Sequence, residues 1–485
     1  MSQTKEIQNV LSGPNEELLE AQARVCTGPH QSRPLGVKPS DPDPDRIYSI
    51  IVDSLDGRLP QSEAASRAQI GAFLVAMSLR RAYPERTNWS ESETRAVEQW
   101  TPLITDPVAR FLISAGEFDH PSGEVDHMMA GHLGKILRGK HLEYAETRAV
   151  LAGVMAEQGD PMLKGAVLIG QRMNLESEEE FRAYMDSVLD PTDIQLVSVS
   201  SLTTIGEPYN GSTRYFKPTC FVAAVRAALG RPTLLHGVDI APPKNGVTEA
   251  AILAALGANP YIPIPDAAKL IEDPEIGFAY LSQSVFAPHA VWMSDMRVHI
   301  KKRPTWAASE KAQQILKADG RNDMVVGFYH PGYESKQLQS MRDRGFDAGC
   351  VIKGEEGTSQ LSLRAGAPSE ESRKTLNYVE GFAGDSAYAR DIEPAEYGFD
   401  YTTSPRVETV SGDAFAKAGR AALSGEAGHV QDRIVMNAGL LNWLLGYVDD
   451  PAKSIQSARE AVANGSALAH LERYIQATSA IQKEP

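Results

Sequence analysis

The sequence predicts an α/β protein that begins with an all-helical domain, and three observations support this prediction. Between Arg46 and Asp190, apolar residues recur at spacings of three and four, which is typical of amphipathic helices. From Asp193 onward, short β-branched or apolar runs alternate with helical patterns. Such alternation indicates a mostly parallel sheet with helices on both faces. Residues 411–476 return to a helical pattern and are expected to complete this large α/β domain.

The domain boundaries follow from changes in composition along the chain. Residues 1–45 are polar and rich in Pro, Gly and Asp, which predicts a disordered arm. Residues 46–131 are expected to form an extra helical repeat, and residues 132–190 an N-terminal helical subdomain. Residues 191–485 are expected to form the α/β domain, with part of 247–290 packing on the helical domain.

The helical region contains two similar segments, which predict a duplication. The first has the sequence Ile51-Val-Asp-Ser-Leu-Asp-Gly57 and is followed by residues 69–77. The second has the sequence Ile136-Leu-Arg-Gly139 and is followed by residues 163–169. The shared order of apolar and small residues favours two copies of one helical element.

Composition and charge exclude several classes of protein. The chain has 485 residues, 42% of them hydrophobic and 23% charged, which is typical of a soluble globular protein. A formal net charge of −15 argues against nucleic-acid binding, which needs a basic surface to neutralise phosphates. The cysteines, Cys26, Cys220 and Cys350, are far apart and form neither a disulfide framework nor a zinc motif. Without an apolar run long enough for a membrane span, a cytoplasmic protein is expected.

The predicted strands and helices of the α/β domain follow the alternating pattern. Expected strands are Ile194–Val199, Thr233–Leu235, Met324–Phe328, Cys350–Ile352 and Tyr378–Val379. Expected helices are Thr219–Leu229, Val247–Leu256 and Ser335–Arg344.

The connection between the second of these strands and the helix at Val247 is a candidate anion site. The strand ends in His236-Gly237, and Lys244-Asn245-Gly246 is expected to open the helix. Free backbone N–H groups and the helix dipole favour phosphate there, and Lys244 adds a full charge. The alternative interpretation is an ordinary strand-loop-helix connection whose glycine permits a tight turn.

Several motifs resemble those of the anthranilate phosphoribosyltransferase family, whose fold is shared with the pyrimidine nucleoside phosphorylases. The similarity covers roughly residues 136–474, and more weakly residue 46 onward. Its motifs keep the family's order: His236-Gly237 and Lys244-Asn-Gly246, Gly277-Phe278, Leu281, Phe286, Pro288 and Arg297, Gly354-Glu-Glu-Gly357, residues 423–428, Met436-Asn-Ala438, residues 458–461 and residues 465–468.

The resemblance implies magnesium-assisted transfer of phosphoribose from phosphoribosyl pyrophosphate to an aromatic amine. It implies a phosphorylated sugar between the loop 210–217 and the helix start at 244–248. It also implies an anionic acceptor between His236, with Gly237, and Arg297, across the cleft from the helical domain. In the family the N-terminal helices usually build a homodimer, so a homodimer through the helical domain is expected.

Three departures from the family pattern affect the phosphate and metal site. The family's Gly-Thr-Gly-Gly-Asp loop is replaced by residues 206–215. The Lys and Asn that flank the family's His-Gly are Leu235 and Val238. The family's metal-binding Asp-Glu pair corresponds to Ser359-Gln360, which cannot neutralise magnesium, so an unmodified magnesium–pyrophosphate site is not expected.

The replaced loop is itself a candidate phosphate cradle, because it combines a turn, hydroxyls and cations. Lys217 is a candidate to supply the charge missing at Leu235. The alternative interpretation is a polar surface turn with a capping threonine. The candidate residues of this loop and its helix are Asn210, Gly211, Ser212, Thr213, Arg214, Lys217 and Thr219.

Two groups of acidic or histidine residues are candidate metal sites. Glu207, Asp239 and Glu249 lie near the candidate loops, but each is expected to be a solvated surface carboxylate. The segment from Asp119 to His132 superficially resembles a metal cluster, yet it lacks HExxH spacing and is not expected to bind metal.

Three functions remain open from the residues. The first is a diverged phosphoribosyltransferase-like glycosyltransferase. The second is a non-catalytic binding or scaffold protein of the same fold, in which the extra helical repeat replaces a partner chain or extends the dimer. The third is a nucleoside phosphorylase, which would use inorganic phosphate as its nucleophile.

Overall fold

The computed structural model describes residues 14–115, 123–364 and 376–481. It divides into two compact units: unit 1 runs to Ser187 and includes His289–Ala307, and unit 2 comprises Val188–Pro288 and Ala308 onward. The segment that joins the helical unit is 289–307, whereas the sequence predicts part of 247–290.

Unit 1 is helical in its described residues. Several of its helices begin at a side-chain cap that satisfies free N–H groups, as at Ser66, where Gln69 completes a capping box. Its helices are α1 (Glu16–Val25), α2 (Pro44–Leu55), α3 (Arg67–Arg80), α4 (Glu91–Trp100), α5 (Pro107–Ile113), α6 (Glu124–Leu137), α7 (Tyr144–Met155), α8 (Pro161–Met173), α9 (Glu178–Val188), α14 (Pro288–Val291) and α15 (Met293–His299), with α9 and α14 each crossing the boundary by one residue.

The arm that the sequence predicts over residues 1–45 is ordered from residue 14 onward, so this prediction is wrong for the described part. Asn15 caps α1, and its side chain accepts a hydrogen bond from the Leu18 N–H. Leu18 and Val25 are fully buried, because α1 packs against α3. Residues 1–13 lie outside the described residues.

Unit 2 is built on a seven-stranded sheet with the order β4-β3-β2-β6-β7-β8-β9. Neighbouring strands from β4 to β7 are parallel, whereas β8 and β9 pair antiparallel. A separate parallel pair joins β1 and β5. The strands are β1 (Gln195–Val197), β2 (Ser201–Gly206), β3 (Thr233–Gly237), β4 (Phe278–Ser282), β5 (Leu316–Ala318), β6 (Arg321–Gly327), β7 (Ala348–Ile352), β8 (Tyr378–Ala383) and β9 (Ser386–Asp391).

Helices surround this sheet, in agreement with the predicted fold class. Helix α10 packs against β3 and β4, and α17 packs against β7 and β8. The helices of unit 2 are α10 (Thr219–Ala228), α11 (Glu249–Leu256), α12 (Ile264–Glu272), α13 (Gln283–Phe286), α16 (Trp306–Ser309, which begins in unit 1), α17 (Glu334–Asp343), α18 (Gly412–Leu423), α19 (His429–Leu444), α20 (Pro451–Ala463) and α21 (Ser466–Ser479). Within the described ranges, no helix is both long and apolar enough to cross a membrane.

Two local predictions differ from the structure. The predicted strand Ile194–Val199 shortens to β1, and the central strand β2 follows directly, with all six residues buried. The helix expected from Val247 begins at Glu249, because the Val247 backbone pairs with Ser212 and Thr248 is the N-cap.

Candidate functional site

The two candidate phosphate loops lie side by side at the carboxyl ends of β2 and β3. The Ser212 N–H donates to the Val247 oxygen, and the Val247 N–H donates back to the Ser212 oxygen, each at 2.9 Å. The Gly246 N–H donates to the Asn210 oxygen at 3.0 Å. A Cβ at Gly211, whose φ is +73°, would stand 2.2 Å from the Gly246 oxygen, so this approach requires glycine. These backbone donors therefore pair the loops with each other.

Beneath the loops, Lys217 lies in a buried cluster with two carboxylates. Its Nζ is 2.5 Å from Glu207 Oε2 and 2.9 Å from Glu249 Oε2. Tyr209 lies beside it, with the hydroxyl 3.2 Å from Nζ and the ring centroid at 4.3 Å. The three charged side chains are at most 2% exposed. The cluster combines one positive charge with two acidic groups, so its ammonium is already neutralised.

The environment shifts the pKa values of the two acids in opposite directions. Burial opposes ionisation of Glu207, but Lys217 and the hydrogen bonds from Ser359 hold its pKa below the ordinary value. Burial raises the pKa of Glu249 above its ordinary value, against the attraction of Lys217. Burial disfavours the charge of Lys217, yet the two carboxylates hold its pKa well above the usual range. Glu207 is therefore the ionised partner of Lys217, and Glu249 is the acid that more readily holds a proton.

The position of the family's metal pair is used for hydrogen bonding to Glu207. The Ser359 N–H donates to Glu207 Oε1 at 2.8 Å, and the Ser359 hydroxyl donates to the same oxygen. The Thr358 hydroxyl donates to Glu207 Oε2 at 3.0 Å. An ammonium and three donors thus surround the Glu207 carboxylate. This donor set does not fit magnesium, which requires anionic or neutral oxygen ligands around the ion. Among the described residues, no group of three or more His, Cys, Asp or Glu side chains is arranged to hold a metal.

A further carboxylate accepts hydrogen bonds from the polar groups of the first loop. Glu356 accepts hydrogen bonds from the N–H groups of Thr213, at 3.2 Å, and Arg214, at 3.3 Å. The Thr213 hydroxyl also donates to Glu356, and Arg214 Nε lies 3.5 Å from its Oε1. Glu356 has φ +58°, a left-handed backbone conformation that is strained for a residue with a side chain. The loop therefore holds an internal carboxylate with the donors that the sequence assigns to phosphate.

His236 lies at the end of β3, where it is 1% exposed. Its Nε2 lies 3.0 Å from the Lys311 carbonyl oxygen, and its ring packs edge-on against Phe286. Burial lowers the pKa of His236 to about 4, although the Lys311 carbonyl opposes this shift. The imidazole is therefore neutral at pH 7 and donates from Nε2 to the carbonyl.

The remaining candidate residues lie in different environments. Thr219 is fully buried at the start of α10. A Cβ added at Gly237 would stand 3.5 Å from the Tyr280 ring. Lys244 and Asn245 are exposed in the turn before α11. Arg297 lies in α15 of unit 1 and is 7% exposed, whereas the other candidate site residues belong to unit 2.

Sequence reasoning missed the principal acidic residues of this site. Glu207 and Glu249 are buried, so the expectation that they are solvated surface carboxylates is wrong. Asp239 is half-buried and accepts hydrogen bonds from Ser282 and Ser284. The contact between Glu356 and Thr213 was not anticipated. In the structure Glu207 directly follows β2, a strand that was not predicted from the sequence. Asp119 and His120 lie outside the described residues.

Known proteins resemble this chain in sequence and in fold. An anthranilate phosphoribosyltransferase of Stenotrophomonas maltophilia (strain K279a) is 25% identical over 332 residues, covering 68% of this chain and 91% of the relative. The Thermus thermophilus enzyme superposes with a TM-score of 0.58 at 24% identity, covering 72% of this chain and 99% of that one. The Saccharomyces cerevisiae enzyme, in complex with PRPP and Mg, superposes with a TM-score of 0.61 at 16% identity, covering 73% of this chain and 100% of that one. No family model matches the chain.

A helical unit followed by a mostly parallel α/β unit with loops at the strand ends defines a protein of phosphoribosyltransferase fold. The sequence relatives named anthranilate phosphoribosyltransferase align with about 70% of the chain, at 25% and 24% identity. In sequence the chain resembles the anthranilate phosphoribosyltransferases, and in fold it resembles their solved structures.

Proposed function

We propose that this protein is a phosphoribosyltransferase-like glycosyltransferase that takes phosphoribose from phosphoribosyl pyrophosphate and transfers it to a small anionic aromatic acceptor. The observation that supports this proposal is the direct pairing of the loops 210–212 and 246–247 at the carboxyl ends of parallel strands. In open α/β sheets this edge is where ligands bind. The relatives support a transferase of this type.

The phosphate subsite of this proposal is the loop segment that Glu356 contacts. The N–H groups of Thr213 and Arg214 converge on one carboxylate, and Arg214 is half-exposed beside it. A phosphate has the same charge sign and the same need for convergent donors as that carboxylate. We propose that a phosphorylated sugar displaces Glu356 from these donors. The shape of the loop around the sugar is then fixed by Asn210, Gly211, Ser212 and the 244–246 turn.

The buried cluster has a different part in this proposal. Lys217 is neutralised by Glu207 and Glu249 and contacts Tyr209, so its charge is not offered to the ligand. Since the residues do not fit magnesium, no catalytic step is assigned to a bound metal. His236 and Gly237, at the end of β3, are proposed to contact the acceptor. Arg297, in unit 1, is proposed to bind an anionic group, because a guanidinium pairs bidentately with a carboxylate.

Titration calorimetry with phosphoribosyl pyrophosphate, with and without magnesium, tests this proposal. We expect saturable binding that persists without magnesium and weakens when Thr213→Val and Arg214→Gln remove a hydroxyl and a charge. Lys244→Gln tests the second loop in the same way, and Lys269→Gln is the control because the Lys269 side chain is exposed and pairs with Asp266. No heat and no thermal shift at millimolar ligand would refute the proposal.

A second candidate function is a non-catalytic binding homologue of the same fold. The observation that favours it is that internal carboxylates already engage both Lys217 and the donors of the first loop. A turnover assay separates the two: pyrophosphate release from phosphoribosyl pyrophosphate across a panel of aromatic amines supports the enzyme. Binding without any release supports the non-catalytic homologue.

A further inference from the structure

Helices α3 and α8 of unit 1 carry the same short pattern of small and apolar residues. Helix α3 contains Gly71-Ala-Phe-Leu74, and α8 contains Gly165-Ala-Val-Leu168. When the two glycines are aligned, Ala68 corresponds to Met162, three residues before each glycine. Each helix also follows a side-chain N-cap at the corresponding position, Ser66 in one copy and Asp160 in the other.

These corresponding positions contact each other reciprocally. A Cβ on Gly71 would stand 1.9 Å from the Met162 oxygen, and a Cβ on Gly165 would stand 2.4 Å from the Ala68 oxygen. Thus Gly71 of α3 lies against Met162 of α8, and Gly165 of α8 lies against Ala68 of α3. Ala68 and Met162 occupy the same position in their two helices. A two-fold axis between two copies of one element produces this pattern, in which position i meets j and j meets i.

The helices that follow α3 and α8 also correspond. Ser90 and Glu93 form a capping box at the start of α4, and Ser177 and Glu180 exchange the same two hydrogen bonds at the start of α9. Both glutamates are buried and bind groups of their own copy. Glu93 pairs with Arg80 at 2.6 Å, and Glu180 accepts from the Leu142 N–H at 3.0 Å.

We infer that unit 1 contains two copies of one helical element that dimerise within a single chain. The glycine-bearing face of α3 is fully covered by α8, so it offers no surface to a second chain. A protein with one copy would have to bury that face against another molecule, because an exposed apolar face of this kind is unfavourable. In this chain the partner is the internal copy, and the protein is a monomer. The inference is independent of the proposed transferase activity.

The mass in solution tests the inference on the full chain. Light scattering is expected to give 52.7 kDa, the mass of one chain, over a hundredfold range of concentration. Twice that mass at all concentrations would overturn the inference.

Three matched Gly→Ala variants test the packing itself. A methyl at Gly71 or Gly165 meets backbone atoms that cannot move aside, so G71A and G165A should each lower the Tm by about 5 °C. Gly131 lies in the same unit, in α6, and a methyl there meets nothing within 4 Å. G131A should raise the Tm slightly, because alanine stabilises a helix interior.

The double variant distinguishes one shared contact from two separate ones. G71A with G165A should lower the Tm by less than the sum of the single changes, because the first methyl already separates the helices. If G71A or G165A raises the Tm as G131A does, or if their effects are additive, the reciprocal contact does not exist.

Discussion

Lys217 is a buried cation in unit 2 that pairs with two buried acidic side chains. Taking an ammonium and two carboxyl groups out of water costs several kcal/mol per ion, which only close pairing offsets. The pairing distances of 2.5 Å and 2.9 Å provide this compensation. Removing one partner therefore leaves the others uncompensated, and the cluster behaves as one unit.

Lys217→Met should lower the free energy of unfolding by about 3–5 kcal/mol, because Glu207 and Glu249 would then be buried without a cation. Urea denaturation at pH 7 measures this change. Lys269→Met is the matched control: Lys269 is 75% exposed in its pair with Asp266, so the same substitution should change stability by about 0.5 kcal/mol or less. Equal effects of the two substitutions would contradict the buried cluster.

His236 makes stability depend on pH. Its pKa is about 4 in the folded protein and 6.5 when unperturbed, so between these values the unfolded chain binds the proton more readily. Stability is therefore fully present above pH 6.5 and is lost as the pH falls toward 4. Over this range the wild type should lose roughly 3 kcal/mol more than His236→Gln.

Chemical denaturation at half-unit pH intervals checks the His236 prediction. His30→Gln serves as the control, because His30 is exposed, and it should follow the wild-type profile. Parallel profiles for the wild type and His236→Gln would show that the imidazole does not titrate differently in the folded state.

At the scale of elements, the turn 354–357 acts on the neighbouring loop through one side chain. Glu356 adopts a left-handed conformation and places its carboxylate on the N–H groups of Thr213 and Arg214. A strained residue persists when its contacts compensate for the strain, which is of order 1–3 kcal/mol. The carboxylate thus competes with any anion for the same donors.

Glu356→Ala should strengthen the binding of inorganic pyrophosphate by about tenfold, since it removes a competing anion worth roughly 1.4 kcal/mol of interaction. Titration calorimetry of the full chain measures the change. Glu396→Ala, which removes the same charge from an exposed 3₁₀ turn at Pro394–Tyr397, should leave the affinity unchanged. Weaker binding by Glu356→Ala would mean that the turn supports the anion site instead of blocking it.

Some elements were predictable because their signals are local. Helix α3 follows from the three- and four-residue spacing of its apolar residues. Strand β2 was missed, because Ser201, Thr203 and Thr204 make it look polar although it is fully buried between β3 and β6. Its burial on both faces depends on tertiary packing and leaves no alternating pattern to read.

The contacts of the candidate site could not be predicted from the sequence. The order of motifs singled out both loops, but the strand that precedes the first loop, β2, was not predicted. Glu207, Lys217 and Glu249 are separated by 10 and 32 residues in the chain, and no spacing rule indicates that they touch. Glu356 and Thr213 are 143 residues apart in the chain. Their hydrogen bond therefore depends on the sheet, which brings the ends of β2 and β7 to one edge.

At the scale of the whole molecule, charge constrains the partners. A formal net charge of −15 repels the phosphate backbone, so we expect no measurable binding of a 20-base-pair duplex at 150 mM salt. Fluorescence anisotropy with a labelled duplex checks this. Micromolar affinity that falls steeply with added salt would reveal a basic surface that the overall charge conceals.

The reciprocal contact between α3 and α8 has a consequence for how this protein can diverge. When two identical chains meet across a symmetry axis, every substitution appears on both sides at once. Here each side is encoded separately, so Ala68 and Met162 already differ although they occupy matching positions. One half can therefore acquire a new surface while the other continues to support the fold, and natural selection acts on each half separately.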